Sequence, residues 1–263
     1  MSMNLLETRH GKFLVRTGDD FITMNLCQKG EYEWHVVELV GRLVASAKSG
    51  VVLDIGANIG TLTVPIAASF PHLVVHAYEP QPSVMRHLQA NCLINELENV
   101  QFFDYGLGAE ADEVFVALPD YKTDQNVGAF SMHPHVLEFS HEAQKTGKEE
   151  ALLICTLDED FQYFTDSNVV CIKMDVEGME LDVLKGGEKF LKFQNYPPLV
   201  YENWRGVDWW KEKEKELDDY VESLGYELHQ IGVTTIALHK EGKKRIQATR
   251  KGTSTEYRIY DAV

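Results

Sequence analysis

The sequence contains no long apolar run, no closely spaced cysteine pair and no secretory leader. No stretch approaches the ~20 apolar residues that a membrane-spanning helix needs, and the first residues, MSMNLLETRHGK, lack a basic segment followed by an apolar one. The cysteines Cys27, Cys92, Cys155 and Cys171 form no C-x-x-C pair, which disfavours a disulfide framework or a zinc site. We therefore expect a cytoplasmic protein with reduced thiols and no membrane span.

Positive charge is scarce in this chain. Lys and Arg number 25 against 41 Asp and Glu, which gives a net charge of −16. A surface this acidic repels phosphate backbones and disfavours nucleic acid as a partner. The exception is the stretch 240–258, where seven basic side chains accompany two acidic ones. We interpret this stretch as a solvated tail, with a local anion contact as the alternative.

Apolar runs alternate with helical patterns through the middle of the chain, which is typical of β-α-β units. The predicted strands are 51–55, 73–78, 100–105, 169–174 and 198–204, followed by a hairpin of 225–231 and 233–239. The predicted helices are 60–69, 82–95, 179–191 and 209–224. Because the strands are apolar at consecutive positions, we expect an α/β fold with a mostly parallel sheet and helices on both faces.

The chain divides into three predicted regions. They are an N-terminal extension at 1–50, a core at 51–240 and a basic tail at 241–263. The extension carries a β-like segment and a helix at 33–47. Within the core, 119–160 is predicted to be an insert. An added strand at 113–118 precedes a polar loop at 119–150, with a short helix near 134–145 as an option.

The segment LDIGANIG, residues 53–60, predicts a ligand-binding turn between a strand and a helix. The glycines permit a tight turn and let a ligand approach the backbone closely, and backbone N–H groups at a helix start attract a negative group. The spacing Gly56-x-Asn58-x-Gly60 departs from the G-x-G-x-x-G dinucleotide pattern. Asp54, two residues before the first glycine, suits a ligand that carries a positive amine or sulfonium.

Two further acids follow the second and third predicted strands. Glu79 lies nineteen residues after Gly60, where an acid in a β-α-β unit accepts hydrogen bonds from both ribose hydroxyls. Asp104 is placed to accept from an adenine amino group. The alternatives are a strand-end acid facing water at Glu79 and a turn-forming residue before Gly106 at Asp104. The carboxyl ends of strands are where open α/β sheets bind ligands.

These motifs together resemble the FkbM family of S-adenosylmethionine-dependent methyltransferases. The resemblance is carried by Asp-x-Gly-x-Asn-x-Gly, Glu79, the segment IKMDVEGMELDVLKGG (172–187), Gly-Glu-Tyr-Glu (30–33), Asn91 and Thr156-Leu157-Asp158. It runs from about Tyr32 to the strand around 233–239. It implies a seven-stranded class I methyltransferase fold with an antiparallel final strand, S-adenosyl-L-methionine as the cofactor, and O-methylation, often of sugar hydroxyls.

The resemblance directs attention to the end of the fourth core strand. Lys173 and Asp175 point to the same face of that strand, and Glu177 follows in the turn. Three charged groups at the end of an apolar strand are costly to bury without a task or partners. We interpret them as catalytic residues beside the methyl group, with a structural cluster that shapes the turn as the alternative.

A magnesium site is a further hypothesis at this edge. Asp175, Glu202 and Asn203 supply oxygen ligands of the kind Mg²⁺ prefers, and their layout resembles that of metal-dependent class I O-methyltransferases. In those families a Lys or His base commonly stands three residues after the first Asp, where this chain has Gly178. The sequence therefore leaves both a Mg²⁺-dependent and a metal-free site open.

The acceptor is expected to be a small molecule or a saccharide that lies against the insert. Asn126 and Ser131 fit a polar strip, Tyr32 and Glu33 fit an N-terminal wall, and His133 and His135 are candidate bases. Trp204, Trp209 and Trp210 are candidates for a sugar-stacking platform or for core packing. The alternatives are a methyltransferase of RNA or protein, and a non-catalytic cofactor-binding module.

Overall fold

The computed structural model describes residues 3–16, 21–117, 131–133, 149–164, 167–251 and 254–261. The predicted substrate residue Asn126, the candidate base His135 and the optional helix near 134–145 lie outside these ranges. The described residues form a central sheet, three smaller β units and helices on both faces of the central sheet.

The N-terminal region is a hairpin followed by two helices. The hairpin pairs β1 (Met3–Thr8) with β2 (Gly11–Arg16), and alternation in β2 buries Phe13 and Val15. The helices are α1 (Phe21–Lys29) and α2 (Trp34–Val44). Apolar residues recur along α2 at helical spacing and are buried against the central sheet, which gives this predicted helix its stability.

The first half of the core alternates strands and helices as predicted. Its elements are β3 (Val51–Ile55), α3 (Thr63–Ser69), β4 (Val74–Tyr78), α4 (Pro82–Ile94) and β5 (Val100–Phe103). Pro82 opens α4, where its missing N–H and fixed φ suit a first helical turn. The helix predicted from residue 60 begins at Thr63, because the chain before it forms the glycine turn.

A small three-stranded sheet lies between the two halves of the core. It consists of β6 (Gly106–Leu107), β7 (Asp112–Ala117) and β8 (Glu149–Cys155), in the order β6-β8-β7. β7 was predicted as an added strand. β8 was not predicted, because only Leu152 of its apolar residues is fully buried and the charged start of the segment looks like a loop.

The second half of the core completes the central sheet. Its elements are a 3₁₀ turn at Asp160–Phe164, β9 (Val169–Met174), α5 (Glu180–Lys185), α6 (Glu188–Phe193), β10 (Leu199–Glu202), α7 (Lys211–Ser223), β11 (Tyr226–Ile231) and β12 (Thr234–His239). The single helix predicted at 179–191 is two helices. The break falls at Gly186, where an added Cβ would lie 2.0 Å from the carbonyl oxygen of Gly108.

The central sheet confirms the predicted fold class. Its order is β11-β12-β10-β9-β3-β4-β5, and β12 alone among these strands runs antiparallel to its neighbours. Alternate residues of each strand feed separate cores on the two faces; Val52 and Val200 pack on one face and Leu53 and Leu199 on the other. This is the α/β arrangement of a class I methyltransferase, with its ligand edge at the carboxyl ends of β3, β4 and β9.

The segment interpreted as a solvated tail is a β-hairpin. β13 (Lys244–Lys251) pairs with β14 (Ser254–Asp261). Ile246 and Ile259 pack against the core beneath α2, and Lys244 donates to Ser46 and forms an ion pair with Asp261. The tail interpretation was therefore wrong for these residues. Their many charged side chains suggested a solvated segment, whereas the hairpin packs Ile246 and Ile259 against the core.

Helices in the described ranges are too short or too polar to cross a bilayer. All four cysteines lie in those ranges and none is in a disulfide; Cys92 and Cys171 are buried, Cys155 is half-buried and Cys27 is exposed.

Candidate active site

A cleft opens at the carboxyl edge of the sheet, beside the ends of β3, β4 and β9. The sheet supplies its floor, and α1 and the residues before α2 supply a wall. Its lining includes Phe21, Ile22, Tyr32, Glu33, Gly56, Asn58, Glu79, Tyr105, Met132, Lys173, Asp175 and Glu177. Most of the predicted site residues that the structure describes are therefore brought together here.

The glycine turn is built against the chain itself. Gly56 has φ +76°, and an added Cβ would lie 1.9 Å from the carbonyl oxygen of Asp175. Gly60 has φ +94°, and its Cβ would meet Leu88 at 2.7 Å. The N–H groups of Gly56 and Ala57 donate to the carbonyl of Tyr78. The glycines were expected to admit a ligand, but their first physical role is to let the turn pack against β9 and α4.

Glu79 is held by this turn. Its carboxylate accepts the backbone N–H of Asn58 at 3.2 Å and that of Gln81 at 2.9 Å. Asn58 adopts the left-handed conformation, φ +50°, and its side chain accepts the N–H of Ile59. Burial raises the pKa of Glu79 to about 7, although its two backbone donors act in the opposite direction. Glu79 is thus a fixed, largely dehydrated acceptor in the cleft.

Asp54 lies beneath the cleft. It is fully buried, accepts the hydroxyl of Thr63 at 2.6 Å and forms an ion pair with Lys173 at 3.2 Å. The expectation that Asp54 faces a positive ligand is corrected here: the cation that it faces is the protein's own lysine. Gly60 is likewise outside the lining of the cleft and packs toward α4.

Lys173 links the ends of β3 and β9. Its ammonium group donates to the carbonyl of Gly56 at 2.9 Å and lies 3.6 Å from Asp175. Burial by itself lowers the pKa of Lys173, but the carboxylates of Asp54 and Asp175 outweigh burial and hold the pKa above its usual range. Lys173 therefore stays charged at neutral pH and cannot act there as a base.

Carboxylates crowd the end of the cleft nearest Lys173. Burial and the neighbouring acids raise the pKa of Glu177 well above its usual value, and its backbone is left-handed with φ +53°. Burial, then Asp175, raise the pKa of both Glu33 and Glu202 to about 7. Several of these groups therefore hold or share protons at neutral pH, because full ionisation would place like charges together.

The predicted magnesium ligands do not converge. Glu202 ends β10 on the cleft side, and the next residue points to the other face because side chains alternate along a strand. Asn203 is buried there, and its amide donates to Glu214 and Asp218 of α7. Among the described residues no group of three His, Cys, Asp or Glu side chains is arranged to hold a metal ion. The structure thus gives Mg²⁺ no support.

Asp104 is exposed and lies outside the lining of the cleft. The following residues take its predicted place, since Tyr105, Gly106 and Leu107 all line the cleft. The hydroxyl of Tyr105 donates to the buried Asp160 at 2.8 Å, which fixes the ring. The prediction that Asp104 lines the ligand site is therefore wrong, because its side chain does not face the cleft.

On the opposite side of the cleft, residues 131–133 lie against the turn after β9. Ser131 donates to the carbonyl of Glu177 at 2.5 Å and accepts the N–H of His133, so it anchors this segment and does not itself line the cleft. The ring of His133 packs edge-to-face against the ring of Trp210, outside the lining of the cleft. Tyr32 does line the cleft, and burial raises its pKa above its usual value.

The three tryptophans form one cluster beside the end of β10. The ring of Trp204 lies 5.9 Å from that of Trp209 and 4.8 Å from that of Trp210. Trp210 is buried, whereas the other two are half-buried. The cluster therefore combines core packing with accessible ring surface.

Sequence reasoning named Asn91 as part of the family resemblance but gave it no role, and the structure shows that it shapes the turn without lining the cleft. The amide of Asn91, fully buried on α4, donates to the carbonyl of Ile59 and accepts the N–H of Leu14, both at 2.8 Å. Asn91 belongs to the family resemblance, and a polar residue on the apolar face of a predicted helix was the available signal.

A family model described as the methyltransferase FkbM domain matches residues 54–228, which is more than half of the chain. The chain therefore belongs to the FkbM methyltransferase family, as its motifs predicted. Methyltransferase 1 of Beauveria bassiana (strain ARSEF 2860) is 28% identical over 150 residues, which cover 51% of this chain and 57% of that protein.

A second curated relative matches a shorter segment. The AMB antimetabolite synthetase AmbE of Pseudomonas aeruginosa is 39% identical over 82 residues, which cover 31% of this chain and 4% of that protein. The chain thus spans little more than half of the first relative and a small part of the second. Among solved structures, precorrin-6y C5,15-methyltransferase of Geobacter metallireducens GS-15 aligns with 86% of this chain and 82% of its own, at 11% identity and a TM-score of 0.44.

Proposed function

We propose that this chain is an S-adenosylmethionine-dependent O-methyltransferase, whose acceptor is a hydroxyl group of a sugar or of a glycosylated small molecule. Membership of the FkbM family supports methyl transfer. The cleft at the carboxyl edge of the sheet supports a nucleoside-containing donor, and the carboxylates at one end of it support a hydroxyl acceptor. The unpaired cysteines fit the cytoplasmic location that we propose for it.

The hydrogen bonding of Glu79 is the observation that best supports S-adenosylmethionine as the methyl donor. Each of its oxygens accepts one backbone N–H, which leaves lone pairs for the two hydroxyl donors of a ribose. Tyr105, Gly106 and Leu107 line the same cleft and offer a partly apolar surface for an adenine ring. The residues present therefore fit the nucleoside half of S-adenosylmethionine.

The carboxylates near Lys173 fit the other half of the donor. When bound, S-adenosylmethionine supplies an electrophilic methyl group on a positively charged sulfur. Asp175, Glu33 and Glu177 line that end of the cleft, where their carboxyl oxygens favour a cation. Phe21, Ile22 and Tyr32 cover the cleft from the N-terminal side, where they exclude water from the reacting atoms.

The same end of the cleft suits a hydroxyl acceptor. Carboxylates accept hydrogen bonds from hydroxyl groups, and Asp175 lines this end of the cleft at 3.6 Å from Lys173. Asp175 thus orients the hydroxyl in line with the methyl group, which is the main demand of this reaction. The accessible rings of Trp204 and Trp209 lie near Glu202 and offer stacking surface to a sugar face.

Calorimetric titration with S-adenosylmethionine and S-adenosylhomocysteine tests the donor site. We expect both to bind the wild-type chain and Glu79→Gln to weaken both, by about 10- to 100-fold, because hydrogen bonds to a charged acceptor are lost. The matched control is Glu98→Gln, which makes the same change at an exposed acid before β5. Failure of the wild-type chain to bind either compound would remove the proposal.

A methyl-transfer assay over a panel of mono- and oligosaccharides tests the acceptor. We expect Asp175→Asn to keep its affinity for S-adenosylhomocysteine and to lose turnover. Transfer to a protein or an RNA, with no transfer to any saccharide, would instead support the alternative acceptor classes. RNA is disfavoured because the basic hairpin β13–β14 lies beside Ser46 and the start of β9, at the edge of the sheet remote from the cleft.

A further inference from the structure

We propose that Glu33 accepts the proton of the acceptor hydroxyl, an assignment that rests on the proposed function. Glu33 comes from the N-terminal layer, outside the range matched by the family model. It lines the cleft together with Asp175 and Lys173, and it lines a narrow side pocket together with Asp175 and Glu202. It therefore faces the proposed reaction centre from an element other than the sheet.

The backbone holds Glu33 in one position. Its φ of +46° is left-handed, and its carbonyl accepts the N–H groups of Val36 and Val37 at the start of α2. A non-glycine residue in this region costs about 1–3 kcal/mol and persists only where its surroundings determine it. The side chain of Tyr32 lines the cleft beside it. Glu33 is thus fixed at the mouth of the side pocket.

The other acids near this end of the cleft are engaged or placed differently. Asp175 is paired with Lys173, and Glu180 accepts the N–H of Val176 at 2.9 Å. Glu202 lines the side pocket but not the cleft itself. Burial and the neighbouring acids hold the pKa of Glu177 well above its usual value. Among the described residues, Glu33 combines access to the cleft with the absence of a cationic partner at hydrogen-bonding distance.

The groups around Glu33 balance its charge near neutrality. The titratable or charged groups that face it are Tyr32, His35, Lys173, Asp175, Glu177, Tyr201 and Glu202. Burial and the carboxylates of Asp175 and Glu202 raise its pKa, Lys173 lowers it, and the result is a pKa of about 7. A carboxylate with this pKa is partly unprotonated at the operating pH and basic enough to take a proton.

The step balances with the groups named. The hydroxyl oxygen forms a bond to the methyl carbon while the carbon–sulfur bond breaks, and the electron pair of that bond stays on sulfur. The hydroxyl proton passes to the carboxylate of Glu33 and leaves to solvent after the product departs. The positive charge of the donor is thereby replaced by the transferred proton, and no further reactant is required.

The decisive experiment compares a cationic and a neutral ligand across pH. S-adenosylmethionine carries a charge on sulfur that S-adenosylhomocysteine lacks. We expect the ratio of their affinities for the wild-type chain to rise by about three- to tenfold from pH 5.5 to pH 8.5, as Glu33 loses its proton beside the sulfur. In Glu33→Gln the rise should be clearly smaller, and the part that remains belongs to the neighbouring acids. Glu38→Gln, an exposed acid on α2 that pairs with Arg42, should behave as wild type.

The outcomes separate the two proposals. If neither compound binds the wild-type chain, the proposed function fails. If both bind but the ratio does not depend on pH, or depends on it equally in Glu33→Gln, then Glu33 is not the proton acceptor. With a saccharide acceptor in hand, Glu33→Gln should lower turnover by about 10²- to 10⁴-fold with unchanged affinity for S-adenosylhomocysteine, and Glu33→Asp should recover part of it.

Discussion

Lys173 decides how the charges of the cleft are arranged. Its ammonium group joins a carboxylate under the cleft, a carbonyl of the glycine turn and a carboxylate that lines the cleft. A buried ion pair adds little net stability over an apolar pair of the same shape, but removing one partner leaves an uncompensated charge. Lys173 is therefore a fixed cation that positions Asp54, Gly56 and Asp175 relative to one another. In place of the predicted catalytic role, we assign it this positioning role.

We expect Lys173→Met to lower the free energy of unfolding by about 3–5 kcal/mol, because the fully buried Asp54 loses its cation. The double variant Lys173→Met, Asp54→Asn should recover much of that loss, since no buried charge then lacks a partner. Urea unfolding of both variants and of Asp54→Asn completes the cycle. Losses that simply add would show that Asp54 and Lys173 are not coupled.

The sequence placed the side chain of Glu79 in the cleft, because the distance from the glycine turn fixes a strand end. It could not place Asn203, because the side of the strand on which the cleft opens is set by the packing of α7. Asp104 was predicted to line the ligand site, but it is exposed and the lining begins at the next residue, because the path of the chain beyond β5 is not fixed by the pattern of the strand.

Elements outside the central sheet were harder to predict than the sheet. The core strands are apolar at nearly every position, so their pattern survives without tertiary information. The hairpin β13–β14 packs Ile246 and Ile259 against the core but is rich in charged residues, so composition alone resembled a tail. The break between α5 and α6 reflects the close approach of Gly186 to Gly108, a contact that sequence spacing does not show.

Neighbouring residues on β14 test whether this hairpin is docked. Ile259 packs against the core beneath α2, whereas Tyr260 is 43% exposed. We expect Ile259→Ala to lower the free energy of unfolding by about 1–3 kcal/mol, because buried apolar area is lost. Tyr260→Ala should change it by about 0.5 kcal/mol or less. Equal effects in denaturant titration would argue against docking; affinity for S-adenosylhomocysteine should be unchanged in both variants.

At the scale of the whole molecule, the free energy of unfolding depends on pH through the buried titratable groups. Burial raises the pKa of Glu79, Glu180 and Glu202 to about 7. The native state therefore binds more protons than the unfolded chain between the two pKa values, so this contribution is present at low pH and is lost as pH rises toward 7. His76 acts oppositely below about pH 6.5, since burial lowers its pKa to about 4.

We expect the free energy of unfolding to fall between pH 6.5 and pH 7.5 in the wild-type chain. Glu180→Gln should make that fall shallower, by at most about 1.4 kcal/mol per pH unit, which is the limit for one proton. Urea midpoints at closely spaced pH values measure the slope. Glu98→Gln, at an exposed position, is the control; a slope unaffected by Glu180→Gln would show that this carboxyl does not titrate differently in the two states.

The wall of the cleft has a practical consequence for anyone who trims this chain. The family model begins at residue 54, yet Phe21, Ile22, Tyr32 and Glu33 line the cleft, and Leu14 shares the amide of Asn91 with the glycine turn. A fragment cut to the matched range would retain the sequence motifs after residue 54. It would lack the N-terminal wall of the cleft, and the cleft would be open to solvent on that side. Failure of such a fragment to turn over substrate would say nothing about the intact enzyme.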